Sequence, residues 1–372
     1  MIAKRKRLLL IGGGHTHVEV VRRWALPDVD VTLVSAAPDA AYSGMLSGLI
    51  AGHYRYEQAH IDLTALCRKM NVNFVSASVT GVNPNAKQAF CDDGVTRKFD
   101  LASINIGSTP SMSDVLGARD YAVRVKPVPL FLSRWQDFLK ESIALNDPAR
   151  VVVVGGGPGG VELVLAMQHL FATNPATLSS GVTFTLVADA LLPKQPASVQ
   201  QRALRLLRDR NIVLALGRAV GMTATTVQTD AGQDIAANFT VFATAASAPQ
   251  WFAESGLALD PQGFVAVNEQ LQSLSHPHIY AAGDAATLLA DPAPKSGVYA
   301  VRAGPILHSN LVDDLCNRQL SATFKPQRRA MYIISCGDKR GILCYGKIAL
   351  YGRLMWRIKD AIDRRFMSRY AA

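Results

Sequence analysis

The sequence predicts an α/β fold with two parallel-sheet units, and three observations support this prediction. At residues 8–19 and again at 151–163, a short apolar strand runs into a glycine-rich loop and then into a helical pattern. The loops begin at Gly12 and Gly155, 143 residues apart (155 − 12), which leaves room for a separate unit at each. Elsewhere, apolar strands alternate with amphipathic helices, an order typical of a parallel sheet.

The second loop has the complete G-x-G-x-x-G spacing of a dinucleotide-binding loop. Four consecutive valines at 151–154 precede it and indicate a strand that is buried on both faces. Gly155 permits the tight turn, Gly157 lets the backbone approach a pyrophosphate, and Gly160 lets helix and strand pack closely. One such motif is weak evidence alone. Because a similar loop occurs earlier in the chain, the sequence predicts two Rossmann-like units.

The first loop departs from the motif at two positions. Gly12 and Gly14 are present, but His17 replaces the third glycine, which implies a slightly wider gap between helix and strand. We expect His17 to serve in packing. Ser35 ends the second strand, where an acidic residue that binds the ribose is usual. A serine can still form one hydrogen bond with a ribose hydroxyl.

The second unit also lacks the usual ribose-binding acid, since Ala188 occupies its position and Asp189 follows one residue later. Asp189 favours NADH, because a carboxylate binds the free 2′-hydroxyl of the adenosine ribose. The missing acid at Ala188 and the cation Lys194 leave room for NADPH. NADH is the predicted nucleotide, with NADPH as the alternative.

The remaining elements follow from periodicity and from turn residues. A strand at 279–282 delivers Gly283 and Asp284 to a predicted helix start, and an amide beside a carboxylate there suits a polyol phosphate. A linker is predicted at 126–129, a loop at 174–181 and a hairpin turn at 92–94. The other predicted strands are at 30–34, 73–79, 88–90, 183–187 and 239–244, and the predicted helices are at 14–24, 62–70, 130–145, 159–171, 198–210 and 299–316.

Composition excludes several classes of protein. With 49% hydrophobic and 18% charged residues the chain is an ordinary globular protein, and it has no run of 18 apolar residues that would span a membrane. The basic start lacks the apolar length of a signal peptide, so we expect a cytoplasmic protein. The five cysteines lack C-x-x-C spacing and the histidines lack ligand spacing, so we expect no disulfide framework and no metal site.

The positive charge is concentrated at the C-terminus. Residues 325–372 hold 12 Lys/Arg and 3 Asp/Glu, a net +9 of the total +10. A helix predicted at 351–366 is amphipathic and basic, which is typical of a helix lying in a membrane interface. Packing on the first unit or across a homodimer two-fold is the alternative, and we expect no nucleic acid partner. The apolar stripe consists of Tyr351, Leu354, Met355, Ile358, Ile362 and Phe366.

Taken in order, these motifs resemble those of the two-dinucleotide-fold flavoproteins, the pyridine nucleotide-disulfide oxidoreductase superfamily. The resemblance spans residues 8 to about 318 and includes both loops, 106–108, 243–245 and 282–284. It implies an FAD domain at 1–125 and 251–318, split by an inserted NAD(P) domain at 126–250. A basic C-terminal α+β extension at 319–372 would follow.

The resemblance also implies the cofactor-binding residues. Glu162 would lie near the nicotinamide, with a favourable place in the first helical turn as the alternative. Lys295 would lie near the flavin or a quinone, and otherwise is a surface lysine. His15 would donate to a phosphate or lie near the flavin, or have no special role. The implied FAD set is Gly12, Gly14, His15, Ser35, Val79, Gly107, Gly283, Asp284, Gly297 and Val298; the implied NAD(P) set is Gly155, Gly157, Gly160, Glu162, Asp189 and Thr244.

Within the superfamily, the chain resembles the type II NADH dehydrogenase and sulfide:quinone oxidoreductase branch. Ser35, the turn at 294–297 and the basic extension support this placement. The segments 14–17, 42–48, 51–54 and 356–360 are most similar to dehydrogenase-like proteins that are sometimes fused to selenophosphate synthetase. Residues 36–66 hold no cysteine, so a disulfide reductase is excluded. Cys336 lacks a partner near the flavin, which disfavours sulfide chemistry, and we expect all five cysteines to be small buried hydrophobic residues.

The predicted function is therefore an FAD-dependent NAD(P)H dehydrogenase. A reduced nicotinamide would pass hydride to the flavin, and electrons would leave to a quinone or another small acceptor. The protein would be cytoplasmic or peripheral on the cytoplasmic face of the membrane. Two alternatives remain open: a selenium- or sulfur-handling reductase that works with selenophosphate synthetase, and a module that uses its flavin as a redox sensor.

Overall fold

A computed structural model describes residues 5–112, 114–144, 149–174, 181–244, 246–327, 331–346 and 348–370. Its first large sheet is parallel throughout and has five strands. The strand at one edge comes from late in the chain, so the polypeptide leaves this sheet, builds a second unit and returns. In sheet order the strands are Ile279–Ala281, Leu101–Ile104, Lys6–Ile11, Val29–Ser35 and Asn73–Ser76. Helices of this unit are His15–Arg22, Leu63–Lys69 and Gly297–Leu315.

The second large sheet is also parallel and five-stranded, and it is built on the four valines of 151–154. All four are at least 95% buried, since none exceeds 5% exposure, as expected for a central strand covered on both faces. In sheet order the strands are Val123–Arg124, Phe239–Phe242, Ala149–Val154, Val182–Ala188 and Ile212–Leu216. Its helices are Val128–Ala144, Pro158–Thr173 and Ala197–Asp209.

The chain also forms smaller sheets, strand pairs and short helices outside the two large sheets. Antiparallel three-stranded sheets are formed by Val79–Asn83, Gln88–Cys91 and Thr96–Lys98, and by Ala219–Met222, Thr226–Thr229 and Asp234–Ala236. Two-stranded pairs are Asp39–Ala41 with His60–Asp62, Thr109–Pro110 with Ala246–Ser247, and Val265–Val267 with Ala286–Leu288. Short helices are Ser43–Met45, Leu46–Ile50, Tyr56–Ala59, Ala118–Tyr121, Trp251–Glu254 and Gly283–Ala285.

The C-terminal extension is a three-stranded antiparallel sheet followed by one helix, Arg353–Met367, which we call the C-terminal helix. The strands are Tyr332–Ser335, Gly341–Tyr345 and Ile348–Gly352. The extension is anchored on the second unit, because Arg210 forms a salt bridge of 2.8 Å with Asp338. His53 of the first unit also hydrogen-bonds the carbonyl of Gly337 at 2.6 Å. The extension therefore contacts both units.

Three predictions about local structure need correction or fall outside the described residues. Gly283 begins a single 3-10 turn that continues into a strand, not an α-helix, because Ala286–Leu288 pairs with Val265–Val267. The C-terminal helix begins at Arg353, so Tyr351 of the predicted stripe belongs to the preceding strand. Leu145, Ala245 and residues 175–180 of the predicted loop lie outside the described ranges.

Candidate functional site

The first glycine loop, residues 12–14, lies tightly against the end of the strand Leu101–Ile104. Gly12 has a φ of +95°, and a Cβ there would stand 2.6 Å from the carbonyl oxygen of Asn105. A Cβ on Gly14 would stand 2.2 Å from the side-chain oxygen of the same asparagine. Both positions therefore require glycine, for conformation at Gly12 and for space at Gly14.

Asn105 is a structural centre of this loop that sequence reasoning missed. Its Oδ1 accepts hydrogen bonds from the backbone N–H groups of Thr16 (3.1 Å) and His17 (3.3 Å) at the start of the helix. The helix has no side-chain cap at Gly14, so this distant amide satisfies two donors that would otherwise lack a partner. The only signal in the sequence was a lone amide residue that follows an apolar strand.

His17 serves in packing, as predicted. Its ring is buried, with Nδ1 2.7 Å from the carbonyl of Gly12 and Nε2 2.8 Å from the hydroxyl of Ser103. Burial lowers the pKa of His17 to about 4, so the ring is neutral. The imidazole thus occupies the space between helix and strand that the missing third glycine would have closed.

Asp284 lies beside the first loop, with two partners from other segments. Its Oδ2 accepts hydrogen bonds from the Ser108 hydroxyl at 3.1 Å and from Lys126 Nζ at 3.1 Å. Lys126 belongs to the predicted linker, and nothing in the sequence indicated its role. Gly283 has a φ of +64°, and a Cβ there would meet Asn105 Nδ2 at 2.5 Å. The return segment is therefore held directly against the strand that ends at 104.

His15 carries a buried polar atom without a partner. Its Nε2 finds no hydrogen bond among the described residues, while its ring lies edge-on to Tyr42 at 5.4 Å and near Phe366 at 5.9 Å. Burial lowers the pKa of His15 to about 4, and the charge of Lys126 adds to the effect. A neutral imidazole in this place lacks one hydrogen bond, which costs about 1–3 kcal/mol until a ligand supplies it.

A second unpartnered group lies at the start of the long helix Gly297–Leu315. Ser296 precedes this helix, and its buried Oγ has no partner among the described residues. A Cβ on Gly297 would stand 3.4 Å from the hydroxyl of Ser43, and Val298 is 37% exposed. Free N–H groups at a helix start favour a ligand with negative or partial negative charge.

Ser35, Val79 and Gly107 are the remaining residues of the predicted FAD set. Ser35 lines the first loop, because its Oγ is 3.0 Å from the position that a Cβ on Gly13 would take. Gly107 has a φ of +75° and open space around the missing Cβ. Val79 is half-buried at the start of its strand. With His15, Asp284 and Ser296, the loop forms a cradle whose free polar groups fit a dinucleotide such as FAD.

The second loop has the geometry that its sequence predicts. Gly155 has a φ of +133°, and a Cβ there would stand 2.5 Å from the carbonyl of Ala243. A Cβ on Gly160 would meet the carbonyl of Gly155 at 1.9 Å, whereas no described neighbour lies within 4 Å of a Cβ on Gly157. Gly157 therefore leaves open space where the backbone would approach a pyrophosphate. The hydroxyl of Thr244 donates to the carbonyl of Ser111 at 2.9 Å.

Glu162 joins the second unit to the C-terminal extension. Its Oε1 accepts a hydrogen bond of 2.6 Å from the backbone N–H of Ser335. Burial raises the pKa of Glu162 to about 7; Asp363 reinforces the shift, while Lys359 and the Ser335 N–H oppose it. Lys359 in turn donates to Asp363 at 2.6 Å and to the carbonyl of Gly44. Glu162 is therefore able to change protonation near neutral pH.

Lys295 is turned towards the interior of the first unit. Its Nζ donates to the carbonyl of Ala286 and, at 2.8 Å, to the hydroxyl of Thr287. It also lies 4.0 Å from the ring centre of Phe264. Burial lowers the pKa of Lys295 to about 8. In this arrangement Lys295 holds the strand that follows Asp284, and a contact of its amine with flavin or quinone stays a prediction.

The five cysteines form no disulfide in the described part of the chain. All five are free, and four are buried. Burial raises the pKa of Cys336 to about 12, so this thiol is a poor nucleophile. Cys316 is the exposed one, which corrects the expectation that all five are buried. Among described residues no cluster of three or more metal-binding side chains occurs, and no helix is long and apolar enough to cross a bilayer.

The C-terminal helix packs on the first unit, which was the alternative to membrane binding. Phe366 stacks on Tyr42 at 4.5 Å, and the hydroxyl of Tyr370 donates to Glu19 at 2.8 Å. The predicted stripe is consequently divided: Met355 and Phe366 are buried. Leu354 and Ile362 are exposed, and together with the exposed apolar side chains of the preceding sheet we call them the C-terminal patch. The patch consists of Tyr345, Ile348, Leu350, Leu354 and Ile362, each 45–63% exposed.

Comparison with known proteins gives consistent matches. A family model described as pyridine nucleotide-disulphide oxidoreductase matches residues 6–304. Ferroptosis suppressor protein 1 of Homo sapiens is 26% identical over 310 residues, 78% of this chain and 76% of that protein. The type II NADH:quinone oxidoreductase of Staphylococcus saprophyticus is 22% identical over 390 residues, 98% of this chain and 96% of that protein.

Two solved structures share the fold of nearly the whole chain. The NDH2 of Plasmodium falciparum in complex with NADH has a TM-score of 0.84 at 14% identity, covering 98% of this chain and 96% of that one. The sulfide:quinone oxidoreductase of Aquifex aeolicus has a TM-score of 0.79 at 19% identity, covering 98% and 91%. The predicted α/β fold with two Rossmann-like units is thus confirmed.

Proposed function

The chain belongs to the pyridine nucleotide-disulphide oxidoreductase family, and from this premise we propose that it oxidises NAD(P)H and passes the electrons through FAD to a quinone. It is a flavoprotein oxidoreductase that uses FAD and a pyridine nucleotide. The observation that carries the proposal is the cradle at the first loop. There, His15 Nε2 and Ser296 Oγ, which have no hydrogen-bond partner among the described residues, lie in the same unit as Asp284, and the chain has a second, complete dinucleotide loop.

Different residues of the cradle would bind different parts of FAD. Backbone N–H groups at the first loop and the helix start would bind the pyrophosphate, with His15 as an added donor. Asp284, positioned by Ser108 and Lys126, would accept from hydroxyl groups of the polyol chain. Ser35 would bind the ribose. When bound, FAD supplies the ring that accepts hydride and releases electrons, so no protein nucleophile is required.

A quinone is the proposed acceptor because the similar proteins carry that name. The Staphylococcus saprophyticus protein is an NADH:quinone oxidoreductase, and the Aquifex aeolicus structure is a sulfide:quinone oxidoreductase. Cys336 is buried and its pKa is raised to about 12, which argues against sulfide as the donor here. Glu162, whose pKa is raised to about 7, would supply a proton close to the reduced acceptor.

A lipid-soluble quinone requires access to the membrane surface, and we place that access at the C-terminal patch. The five apolar side chains of the patch are exposed, and so are Arg353 and Arg357 of the C-terminal helix. Apolar side chains would enter the interface, and each arginine would gain about 1 kcal/mol near anionic headgroups. Because Phe366 and Tyr370 are engaged in packing, the helix would bind without leaving the first unit.

The test uses surface substitutions, since deleting the C-terminal helix would damage the first unit. Ile348→Ser with Leu354→Ser should abolish flotation with anionic liposomes and reduce NADH oxidation by a lipid-embedded quinone by tenfold or more. NADH oxidation by a water-soluble quinone should change less than twofold. Leu274→Ser, at a site 52% exposed in the first unit, is the matched control. Wild-type protein that reduces no quinone at all would refute the proposed acceptor.

A selenium- or sulfur-handling reductase is the second candidate function. Two of the four segments behind that resemblance, 14–17 and 42–48, are in contact, since the ring centres of His15 and Tyr42 are 5.4 Å apart. Steady turnover of NADH with a quinone, unchanged by added selenophosphate synthetase, favours the quinone reductase. Turnover that depends on the synthetase favours the second candidate. A flavin that NADH reduces but that no acceptor reoxidises would instead indicate a redox-sensing module.

A further inference from the structure

A cation that sequence reasoning did not single out lies beside Asp189. Asp189 follows the strand Val182–Ala188, and the neighbouring strand ends level with it, because Ala188 pairs with Leu216. The N–H of Gly217 then donates to the carbonyl of Ala188 at 2.9 Å. Arg218 is the next residue. The carboxyl ends of these two strands therefore bring a carboxylate and a guanidinium to one place.

The segment that carries Asp189 also presses against the second glycine loop. A Cβ on Gly156 would stand 2.1 Å from the carbonyl of Ala190, and the N–H of Leu192 donates to the carbonyl of Gly156 at 2.8 Å. A dinucleotide whose pyrophosphate rests on that loop presents its adenosine ribose at the end of this strand. With a nucleotide bound in this way, Asp189 and Arg218 would be charged residues close to the 2′ position of the ribose.

The backbone N–H and Nε of Arg218 are held by hydrogen bonds, while most of its side chain is exposed to solvent. Its backbone N–H and its Nε donate to Asp230, at 2.8 Å and 3.0 Å, and its side chain is 73% exposed. The hydrogen bonds to Asp230 raise the pKa of Arg218, and the charge of Asp189 adds a smaller contribution. Among the described contacts, Nε alone of its side-chain donors is engaged. The planar end of a guanidinium fits a phosphate with two parallel hydrogen bonds.

We propose that Arg218, oriented by Asp230, binds the 2′-phosphate of NADPH, so that the chain accepts NADPH as well as NADH. Asp189 binds the free 2′-hydroxyl of NADH, and its charge opposes the phosphate that Arg218 attracts. The two residues balance each other, and neither nucleotide is excluded. This inference rests on the proposed function for hydride transfer, but the binding of the adenosine end can be measured separately.

The binding test uses the FAD-loaded protein and two fragments, adenosine 2′,5′-bisphosphate and 5′-AMP, titrated by calorimetry. Arg218→Gln should weaken binding of the bisphosphate tenfold or more and change binding of AMP less than twofold. Asp230→Ala should also weaken binding of the bisphosphate, by a smaller factor, because Arg218 then loses the carboxylate that orients it. Lys194→Gln tests the other cation considered for NADPH, and Arg205→Gln, at an exposed arginine of the same unit, is the matched control. Equal losses for both fragments in Arg218→Gln, or the larger loss in Lys194→Gln, would overturn the proposal.

The kinetic test measures kcat/KM for NADH and NADPH with a water-soluble quinone. The wild-type ratio should favour NADH by no more than about tenfold. Arg218→Gln should raise that ratio at least tenfold, and Asp189→Asn should lower it. A ratio that does not respond to Arg218→Gln contradicts the inference. If neither nucleotide reduces the flavin, the proposed function fails, while the calorimetric result still decides the role of Arg218.

Discussion

The side-chain amide of Asn105 donates to the carbonyl oxygen of Ala282 at 2.8 Å, and this bond joins two parts of the first unit that lie 177 positions apart in the chain. Through its other atom, Oδ1, the same amide caps the first helix at Thr16 and His17. The first loop and the return segment therefore share one buried side chain. Any inserted unit must bring the chain back to this point for the cradle to form.

Asn105→Ala should destabilise the first unit and release FAD. The substitution leaves two buried N–H groups and one carbonyl without partners, and each unsatisfied group costs about 1–3 kcal/mol. We expect a clear fall in the melting temperature and a substoichiometric flavin content, measured by thermal unfolding and by absorbance at the flavin band. Asn73→Ala, at an exposed strand residue, is the control. A variant as stable as that control would contradict the role of Asn105.

Asp284→Ala should yield protein with little bound flavin. In the proposed cradle this carboxylate would accept hydrogen bonds from the polyol chain, and its removal also leaves Lys126 without its anionic partner. Asp291→Ala removes an exposed carboxylate from the same unit and should keep full flavin. The measurement is the ratio of flavin to protein after gel filtration. A full complement of FAD in Asp284→Ala would show that the polyol is held elsewhere.

Much of the fold and part of the cradle follow from the sequence. Local sequence patterns are enough to predict the glycine loops. Gly12 and Gly155 have positive φ, which favours glycine, and the valines of 151–154 form a buried strand. Contacts between distant segments leave no such pattern. Lys126 meets Asp284 across 158 positions, and Asn105 meets Ala282 across 177.

The C-terminal helix shows why periodicity alone did not identify its buried face. Its inner face includes Lys359 and Asp363, which form an ion pair and contact Gly44. Asp363 is buried and Lys359 is half-buried, on a face where a stripe of apolar residues was expected. Leu354 and Ile362 remain outside. Pattern alone distinguishes an apolar face from a polar one, but it cannot show that two opposite charges will be buried together.

Glu162→Gln should change the pH dependence of stability. The pKa of Glu162 is raised to about 7 from 4.5, so between these values the folded protein binds a proton that the unfolded chain lacks. This contribution is complete below pH 4.5 and is lost as the pH rises through 7. The free energy of unfolding of Glu162→Gln, relative to that of wild type, should therefore be higher at pH 8 than at pH 5, by about 1–2 kcal/mol after solvent screening. Glu57→Gln, at a carboxylate 78% exposed, should show no such gain.

The measurement is thermal or urea unfolding of both variants at the two pH values. Glutamine retains an oxygen that can accept from the N–H of Ser335, so the hydrogen bond is preserved while the titration is removed. A difference between Glu162→Gln and wild type that stays constant from pH 5 to pH 8 would show that the carboxyl titrates outside this range.

His15→Phe should raise the stability of the FAD-free protein and at the same time weaken FAD binding. The buried Nε2 lacks a partner among the described residues, so replacing the imidazole by an apolar ring between Tyr42 and Phe366 removes a cost of about 1–3 kcal/mol. The bound cofactor loses one hydrogen bond, and its Kd should rise about five- to tenfold. Unfolding of the FAD-free protein gives the first quantity, and fluorescence titration with FAD gives the second. His15→Gln retains a donor and should keep more of the affinity than His15→Phe does. Stability and affinity that fall together in His15→Phe would indicate that the histidine only fills space, since a packing role predicts the same sign for both.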